Sequence, residues 1–406
     1  MAAKTVLILG GGVGGIVTAN ALRQRLAAEH RIVVVDKNAE YVFTPSLLWL
    51  MVGWRRPEQI TRPLRRLLRP GVDVVQGAVE EIDSTQSRVR VHGQSLPYDY
   101  LVVALGADLA PESLPGYTEA AHNFFALDGA AGLWQALQRL ESGRVAVLVS
   151  AMPYKCPAAP YEAAMLLDDA LRRRGIRGRC RIEIFTPEPL PMPVAGQAVG
   201  EAVVGMLASK GIVFHPARQV GKIDPEAREL VFRDGTREPY DFLAAVPPHR
   251  PPSVLQGSPL VNEAGWVVVD KHTLRTRAEN VSAIGDVAAI RLANGKPLPK
   301  AGVFAHGQAE TVAARIAAEI KRDPTQARFD GTGYCWIETG DGSAGFASGH
   351  FYAEPDPAVP LPRSGRLWHM GKVLFEQYWL GEGLRRETAR LGLNVGSRLL
   401  GIPASL

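Results

Sequence analysis

A glycine-rich turn near the start of the chain has the composition needed to hold a phosphate. Gly10, Gly12 and Gly15 form a G-x-G-x-x-G directly after a β-branched run at residues 6–9. Such a turn lets the backbone approach a pyrophosphate closely, and the free N–H groups of the following helix point at the anion. We therefore predict that one dinucleotide binds here. A turn needed only for helix–sheet packing would explain one glycine but not three.

A second strand-to-helix turn, at residues 150–157, carries a thiol instead of glycines. It follows the apolar run 145–149, contains two prolines, and places Cys156 where a phosphate would lie. The prolines fix a loop at the start of a helix, where the helix dipole and Lys155 would lower the pKa of the thiol. We predict sulfur chemistry at this turn, and the missing glycines disfavour a nicotinamide nucleotide as the electron donor.

The chain has three cysteines, a small odd number that argues against a disulfide scaffold and leaves room for one redox pair. Cys335, like Cys156, is predicted to lie in a turn-like setting. Cys180 lies between two arginines at the entry to a strand, and we interpret it as a small buried apolar residue.

An acidic residue follows the glycine turn at the distance typical of dinucleotide-binding folds. Asp36 comes 21 residues after Gly15, about where a carboxylate meets the ribose hydroxyls. Together with the strand before the glycines, this spacing predicts a Rossmann-type βαβ unit, and we place Lys37 beside the nucleotide as well.

Strands and helices alternate along most of the chain, which predicts an α/β protein with two Rossmann-like three-layer domains and a C-terminal segment. The elements expected first are strands at 6–9 and 32–35 with a helix at 13–26 between them. Further predicted elements are strands at 72–75, 88–91, 98–107, 145–149, 182–185, 266–270 and 281–284, and helices at 158–174, 199–210 and 304–321. We predict a discontinuous dinucleotide-binding domain at 1–110 and 245–325, a second domain without a nucleotide motif at 111–244, and a C-terminal segment at 326–406.

The composition is that of a soluble protein, with 46% hydrophobic residues, 21% charged residues and a formal net charge of +5. A mild positive excess spread along the chain does not indicate nucleic acid binding, and it is compatible with an anionic membrane surface or anionic substrates. We find no apolar run long enough to span a bilayer and no signal peptide before the first strand, so we expect no classical export.

Two further segments resemble the flavin-contacting motifs of the two-dinucleotide-fold flavoproteins. The strand at 98–106 ends in Ala104 and Gly106, like the "ATG" motif of that superfamily, and a later strand ends in Gly285 and Asp286, like its "GD" motif. The resemblance implies that the bound dinucleotide is FAD and that Asp286 holds the ribityl chain. Without the other motifs, Asp286 would be interpreted as a turn or N-cap aspartate.

Three segments are similar to the family of sulfide:quinone oxidoreductases and the related flavoprotein subunit of flavocytochrome c sulfide dehydrogenase. They are residues 155–162, 298–304 and 333–336, and the similarity extends from residue 4 to about residue 380. The cysteine segments are the discriminating part, because the glycine motif alone does not separate this family from type II NADH dehydrogenases.

The resemblance implies roles for the residues of these segments. Cys156 and Cys335 correspond to two cysteines that flank the flavin and form a disulfide or a sulfur-bridged link. Lys300 and the helix start at 305–309 would lie against the pyrimidine side of the flavin, and Gly302 would also contact the cofactor. Glu162 would accept and donate protons during the reaction. An equal alternative is that Glu162 is an exposed glutamate in the first turn of a helix.

The chain lacks two cysteines that occur in parts of this family. Residues 123–128 hold no counterpart of a third cysteine found in many members. Residues 43–46, among which we place Pro45 near the flavin, hold no cysteine for a covalent flavin link. We therefore expect FAD to be bound non-covalently.

The implied reaction is the oxidation of sulfide to polysulfide or sulfane sulfur. Hydrosulfide would attack the oxidised cysteine link, leaving a persulfide on one cysteine and a thiolate on the other. We expect Cys335 to be the thiolate beside the flavin and Cys156 to be the sulfur carrier, although the two could be exchanged. The electrons would pass to FAD, with Lys300 as the nearby positive charge, and then to a membrane quinone.

The C-terminal segment is rich in aromatic residues that could serve the quinone. Trp336, Phe375 and Tyr378 are candidates for the wall of a quinone site. Packing of the same side chains as the core of the segment is the slightly favoured alternative.

The same segment has the pattern of a helix that lies on a membrane. Residues 368–380 are amphipathic in outline and are followed by Arg385, Arg386 and Arg390. Aromatic residues beside arginines suit a bilayer interface, so we predict peripheral membrane attachment, with the side of the membrane undetermined. Six arginines at 55–69 are interpreted instead as a solvated helix and loop face.

Other functions stay open from the sequence. The electrons could go to a cytochrome c subunit, but the missing export signal and missing flavin-linking cysteine count against that. A type II NADH:quinone reductase is disfavoured by the absent second glycine motif, and a flavin-binding module without turnover is a further class. A homo-oligomer is also left open.

Overall fold

The computed structural model describes residues 2–360 and 364–400. Residues 1, 361–363 and 401–406, which belong to the predicted first domain and C-terminal segment, lie outside the described residues.

The helices follow the predicted pattern closely, with α1 and the later long helices ending within a few residues of the expected positions. The α-helices of the described residues are α1 (Val13–Arg25), α2 (Leu47–Leu50), α3 (Pro57–Ile60), α4 (Leu64–Leu67), α5 (Tyr117–Ala120), α6 (Leu127–Arg139), α7 (Ala159–Arg173), α8 (Gln197–Ser209), α9 (Gly302–Lys321), α10 (Arg366–Leu380) and α11 (Gly383–Leu400).

The strands are mostly short and are distributed over the whole chain. Those of the described residues are β1 (Thr5–Leu9), β2 (Arg31–Asp36), β3 (Glu40–Val42), β4 (Thr61–Pro63), β5 (Asp73–Gln76), β6 (Val79–Asp83), β7 (Arg88–Val91), β8 (Gln94–Pro97), β9 (Tyr100–Val103), β10 (Asp108–Leu109), β11 (His122–Asn123), β12 (Gly143–Val149), β13 (Cys180–Phe185), β14 (Ile212–His215), β15 (Val220–Asp224), β16 (Glu229–Phe232), β17 (Arg237–Pro239), β18 (Phe242–Val246), β19 (His249–Arg250), β20 (Val267–Val268), β21 (Val281–Ala283), β22 (Ala288–Ala289), β23 (Thr332–Gly340) and β24 (Ser343–His350). The strand predicted at 266–270 is shorter than expected, since only the two residues of β20 pair, with β22.

One parallel sheet has the strand order β21-β9-β1-β2-β5. Its central strands are apolar over most of their length because both faces are covered, as parallel sheets require. Leu7, Ile8 and Leu9 of β1 are all buried. The chain enters this sheet at β1, leaves after β9, and returns at β21, which pairs with β9. Helices α1 and α9 pack against each other beside this sheet.

A second parallel sheet has the order β11-β18-β12-β13-β14. β12 lies at its centre, between β18 and β13, so the loop that follows β12 emerges at the carboxyl end of the sheet. This is where α/β proteins place their ligands. Helix α7 begins directly after that loop and is buried along most of its length. The two parallel sheets confirm the predicted α/β class with two Rossmann-like cores.

The strands β23 and β24 form an antiparallel hairpin that packs on α7 and α10. The prediction that Cys335 lies in a turn is wrong, because Cys335 pairs with Ala347 inside this hairpin. Gly333 serves close packing rather than a turn: a Cβ there would come within 2.3 Å of the Phe304 ring. The turn itself lies further on, at Asp341 and Gly342, which both have positive φ.

Helices α10 and α11 pack on each other at the end of the described chain. Helix α10 is attached to the rest of the molecule by Glu376, which accepts hydrogen bonds from Arg55 and from the Ser46 hydroxyl. The interpretation of the arginines at 55–69 as a solvated face is therefore wrong for Arg55. Among the helices of the described residues, none combines the length and apolar character needed to cross a bilayer.

Candidate active site

The glycine turn between β1 and α1 contains two glycines fixed by packing and one that faces open space. A Cβ at Gly10 would lie 2.3 Å from the Ala104 carbonyl oxygen, and a Cβ at Gly15 would lie 1.8 Å from the Gly10 carbonyl oxygen. A Cβ at Gly12, the N-cap of α1, would meet nothing within 4 Å. An anion can therefore approach the first turn of α1 beside Gly12, and the residues fit a bound pyrophosphate.

Asp36 ends β2 directly beside this turn. Its carboxylate accepts hydrogen bonds from the backbone N–H of Gly11 at 2.6 Å and of Asn38 at 2.7 Å. The carboxylate is half-buried and Lys37 is exposed. Pro45 lies in a short 3-10 turn after β3.

The segments predicted to contact a flavin converge on the end of the first sheet. Ala104 and Gly106 follow β9, and Gly285, with a positive φ of 73°, follows β21. Burial raises the pKa of the Asp286 carboxyl, which makes no side-chain hydrogen bond among the described residues. Such a half-buried, unpartnered acid fits the hydroxyl-rich chain of the proposed cofactor.

Lys300 reaches this point from the segment before α9. Its ammonium group donates to the Asp286 carbonyl oxygen and lies 3.5 Å from the centre of the Trp266 ring. Burial lowers the pKa of Lys300 to about 8. Gly302 is the first residue of α9, directly after this lysine segment.

A cavity of about 770 Å³ brings the two cysteines together. Cys156, Cys335 and Lys300 all line it, although they come from the loop after β12, from β23 and from the segment before α9. Most other lining side chains are apolar. The juxtaposition of the two thiols was predicted from resemblance alone, and their separation of 179 positions in the chain gives no local signal for it.

The loop of Cys156 is held by the backbone of the lysine segment. The Cys156 N–H donates to the Lys300 carbonyl oxygen at 2.7 Å, and Lys155 and Lys300 form a β-bridge. Cys156 itself has a positive φ of 54°, a conformation that costs a non-glycine residue about 1 kcal/mol or more. The strained position is thus fixed by contacts outside the loop.

Both thiols are free in this structure, and the prediction of a lowered pKa is wrong. Burial raises the pKa of Cys156 to about 12, the Glu162 carboxylate adds to this shift, and Lys372 opposes it. The pKa of Cys335 is also raised by burial. The apolar cavity removes water from the Cys156 thiol, and this effect on its pKa is larger than the opposing effect expected from the helix dipole.

Cys180 begins β13, where it is 5% exposed. It is not among the described residues that line the cavity. The structure therefore places it as a buried apolar residue.

Glu162 belongs to a buried network of charged side chains between α7, β23 and α10. Its Oε2 accepts from the backbone N–H of Glu338 and from the Lys372 ammonium, both at 2.9 Å. The His369 ring lies 3.0 Å from Glu338 through Nδ1. The alternative of an exposed helix glutamate is wrong, since Glu162 is 2% exposed.

Sequence reasoning missed Lys372, the charged partner of Glu162, and Glu376, the second buried charge of α10. Lys372 and Glu376 stand four residues apart in an otherwise aromatic and aliphatic stretch, and both are buried. Two charges on one face of an amphipathic helix could have indicated an inward-facing charged pair.

Two of the aromatic residues considered for a quinone, Trp336 and Phe375, lie close together, and neither is among the described residues that line the cavity. The rings of Trp336 and Phe375 are 5.3 Å apart, and Phe375 also contacts Phe43 at 5.9 Å. The Arg386 guanidinium lies 5.3 Å from the centre of the Tyr378 ring. Trp336 also contacts Phe346 at 5.4 Å, so these side chains pack as a core of the C-terminal segment, as the alternative interpretation predicted, and Phe43 extends that core to the chain after β3.

The chain is similar to known flavin- and quinone-linked oxidoreductases over most of its length. The family model described as pyridine nucleotide-disulphide oxidoreductase matches residues 4–309. Mitochondrial sulfide:quinone oxidoreductase of Mus musculus is 26% identical over 96% of this chain and 90% of its own length. Demethylphylloquinone reductase of Synechocystis sp. is 30% identical over 95% of this chain and 96% of its own length. The X-ray structure of sulfide:quinone oxidoreductase from Aquifex aeolicus superposes with a TM-score of 0.86 at 26% identity, covering 100% of this chain and 96% of that chain.

Proposed function

We propose that this chain, which belongs to the pyridine nucleotide-disulphide oxidoreductase family, oxidises sulfide and transfers the electrons to a membrane quinone. The observation that carries this proposal is the cavity lined by both Cys156 and Cys335, next to Lys300. Quinone reduction is part of the names of the murine and cyanobacterial relatives alike, which supports a quinone as the acceptor.

Non-covalent FAD is the proposed cofactor, and the chain offers residues for each of its parts. Residues around the glycine turn would hold the adenosine diphosphate half, and those at the ends of β9, β21 and the lysine segment would hold the flavin half. When bound, FAD supplies two-electron transfer between the cysteine pair and the quinone. The proposed contacts are Gly10, Gly12, Gly15, Asp36, Lys37, Pro45, Ala104, Gly106, Gly285, Asp286, Lys300 and Gly302.

The cysteine pair would carry the sulfur chemistry by thiol–disulfide exchange. Hydrosulfide attacks one sulfur of an oxidised Cys156–Cys335 link, the new S–S bond forms as the old one breaks, and one cysteine leaves as a thiolate. We assign the persulfide to Cys156 and the thiolate to Cys335. Burial destabilises a thiolate here, which would favour joining of the Cys156 persulfide and the Cys335 thiolate in a sulfur-bridged link as two electrons leave for the quinone by way of FAD. A further hydrosulfide would attack this link and release the added sulfur as part of a polysulfide.

Glu162 would hold a proton close to this pair. Burial raises the pKa of its carboxyl despite the Lys372 ammonium at 2.9 Å. His369 is partly exposed and bonds Glu338, so the network extends from the buried carboxyl to a side chain that contacts solvent. A residue set of this kind can exchange a proton with water without opening the cavity.

The quinone would bind at the aromatic cluster of Trp336, Phe375 and Tyr378. The Trp336 indole N–H is buried without a hydrogen-bond partner among the described residues, so a carbonyl oxygen of a ligand would satisfy it. Helix α10 supplies two of the three side chains and also exposes Leu367 and Met370.

The surface of α10 and α11 would lie on the membrane that contains the quinone. Leu367 and Met370 of α10 and Leu384 and Leu391 of α11 are more than half exposed. Arg385 and Arg390 are exposed on the same helix α11. Apolar side chains with neighbouring arginines are typical of a helix at an anionic lipid surface, so we propose peripheral attachment through this helix pair.

Anaerobic mixing of the FAD-loaded protein with sulfide, then with decylubiquinone, tests the function. We expect sulfide to bleach the flavin absorbance and the quinone to restore it. Cys156→Ser and Cys335→Ser should each slow bleaching by at least about 100-fold, because a single thiol cannot form the exchange link. Cys180→Ser is the matched control and should bleach at the normal rate. Unchanged bleaching by Cys156→Ser would refute the mechanism, and rapid bleaching by NADH would favour an NADH:quinone reductase.

A further inference from the structure

The cavity that holds the two cysteines contains one carboxylate among its described lining residues, Glu188. The loop after β13 carries this residue into the wall beside Tyr154 and Cys156. Glu188 is 2% exposed, so its charge is fully removed from bulk water. Burying a carboxylate in an apolar wall costs stability unless other groups pair with it or donate hydrogen bonds to it.

The two carboxylate oxygens of Glu188 have very different surroundings. Oε2 accepts hydrogen bonds from the hydroxyls of Tyr154 at 2.8 Å, Tyr161 at 2.6 Å and Thr186 at 3.2 Å. Oε1 is buried and has no hydrogen-bond partner among the described residues. One oxygen is thus fixed by three donors, and the other is available to a ligand.

The character of the cavity determines the form in which sulfide enters. Its walls are mainly apolar, with Met192, Val194, Ile290 and Phe304 among them. Moving an anion into such surroundings is strongly unfavourable, whereas a small neutral molecule enters easily. Sulfide is therefore expected to enter as neutral hydrogen sulfide, yet attack on an S–S bond requires the hydrosulfide anion. A base inside the cavity is needed.

We propose that Glu188 is this base, a further catalytic residue of the sulfide-oxidising site. This inference rests on the proposed function. Hydrogen sulfide transfers one proton to Oε1 of the ionised carboxylate and becomes hydrosulfide, which attacks a sulfur of the oxidised cysteine pair. The new S–S bond forms as the old one breaks, one cysteine leaves as thiolate, and the carboxyl releases its proton to solvent before the next turnover.

The surroundings of Glu188 suit a base that works near neutral pH. Burial raises the pKa of its carboxyl, and the Tyr161, Tyr154 and Thr186 hydroxyls oppose the shift by bonding the ionised form. A carboxylate with a raised pKa is a stronger base than one in water. The other titratable groups that face the cavity are Cys156, Cys335, Lys300, Arg291 and Tyr334. Glu162 is not among the described residues that line the cavity, so it does not face the entering sulfide.

Glu188→Gln tests the proposal while keeping the structure of the pocket. The amide oxygen can still accept from the tyrosine hydroxyls, but the side chain can no longer take a proton. In anaerobic single turnovers with sulfide, we expect flavin bleaching and persulfide formation, the latter measured by alkylation and mass spectrometry, to slow about 100-fold near neutral pH, where the wild-type carboxylate is ionised. The deficit should shrink at acidic pH, because the wild-type carboxyl is then protonated and cannot take a proton from hydrogen sulfide either.

Glu183→Gln is the matched control, since Glu183 is a buried carboxylate on β13 that bonds Arg181 and His215 and is not among the described lining residues. It should react at the wild-type rate at every pH. An equal loss for Glu188→Gln at all pH values would show a structural role and overturn the proposal, as would an unchanged rate. If wild-type protein fails to react with sulfide, the proposed function itself fails instead.

Discussion

At the scale of single residues, burial determines the chemistry of the site more strongly than neighbouring charge does. The sequence placed Cys156 beside Lys155 and a helix start, which predicts a reactive thiolate. The structure instead raises the pKa of Cys156 to about 12, with desolvation as the largest cause. Only the fold reveals this, because the apolar wall comes from segments distant in the chain.

In the reduced protein we expect iodoacetamide to modify Cys156 slowly. A pKa of about 12 in place of 9.0 makes the thiolate on the order of 1000-fold scarcer near neutral pH. Because the pKa is raised, the rate should increase about tenfold per pH unit between about pH 7 and pH 9 without levelling. Mass spectrometry of the modified peptide, with glutathione as the reference thiol, measures this. A plateau below about pH 8 would mean that the thiolate is stabilised after all.

Two glycines of the first turn, Gly12 and Gly15, should respond differently to replacement by alanine. Gly12 has a negative φ and open space around it, so Gly12→Ala should fold normally but bind FAD at least about tenfold more weakly. Gly15→Ala brings a Cβ within 1.8 Å of a carbonyl oxygen and should destabilise the apoprotein by about 2 kcal/mol or more. Flavin fluorescence titration and thermal unfolding of the apoproteins distinguish the two effects. Equal loss of stability in both variants would contradict this assignment.

At the scale of elements, the C-terminal helix α10 is held to the site by buried charges. Lys372 of α10 bonds Glu162 of α7, and Glu376 bonds Arg55. Buried pairs of this kind add little net stability, but breaking one leaves a charge without a partner. The pairs therefore specify where α10 docks.

Lys372→Met should lower stability by about 3 kcal/mol, because it leaves the Glu162 carboxylate buried and unpaired. Adding Glu162→Gln should recover at least half of the loss. Chemical denaturation of both variants and of Glu162→Gln alone completes the double-mutant cycle. Simple additivity of the two single effects would show that the pair is not coupled.

The sequence predicted elements better than it predicted contacts between them. The glycine turn, Asp36 and the helix after Cys156 were found from local spacing, which depends on neighbouring residues alone. Cys335 was misplaced because glycines that serve close packing resemble turn glycines in a single sequence. The burial of Glu162 depends on Lys372, 210 positions away, and no local pattern reports such a partner.

At the scale of the whole molecule, the fold and relatives confirm the resemblance to the sulfide:quinone oxidoreductases. The superposition on the Aquifex aeolicus enzyme covers 100% of this chain, including the C-terminal helices. Helix α10 carries the exposed Leu367 and Met370 as well as Phe375 of the aromatic cluster proposed for the quinone. In the proposed function, the membrane surface and the acceptor site therefore share one helix.

Membrane binding should depend on the apolar face of α11. The double variant Leu384→Asp with Leu391→Asp should lose at least about tenfold in sedimentation with vesicles of phosphatidylcholine and phosphatidylglycerol, since each leucine buries apolar area in lipid. Val213→Asp, a change at an exposed apolar residue of β14, is the matched control and should bind normally. Unchanged binding by the double variant would show that another surface meets the bilayer.

The backbone pairing of Lys155 with Lys300 joins the cysteine loop to the segment that leads into α9. Because the Cys156 N–H donates to the Lys300 carbonyl oxygen, the two segments are hydrogen-bonded to each other where they line the cavity. A chimaera that exchanges the middle of this chain with that of a relative would inherit only one of these two segments. Both segments would have to be transplanted together for such a hybrid to keep its sulfur site aligned.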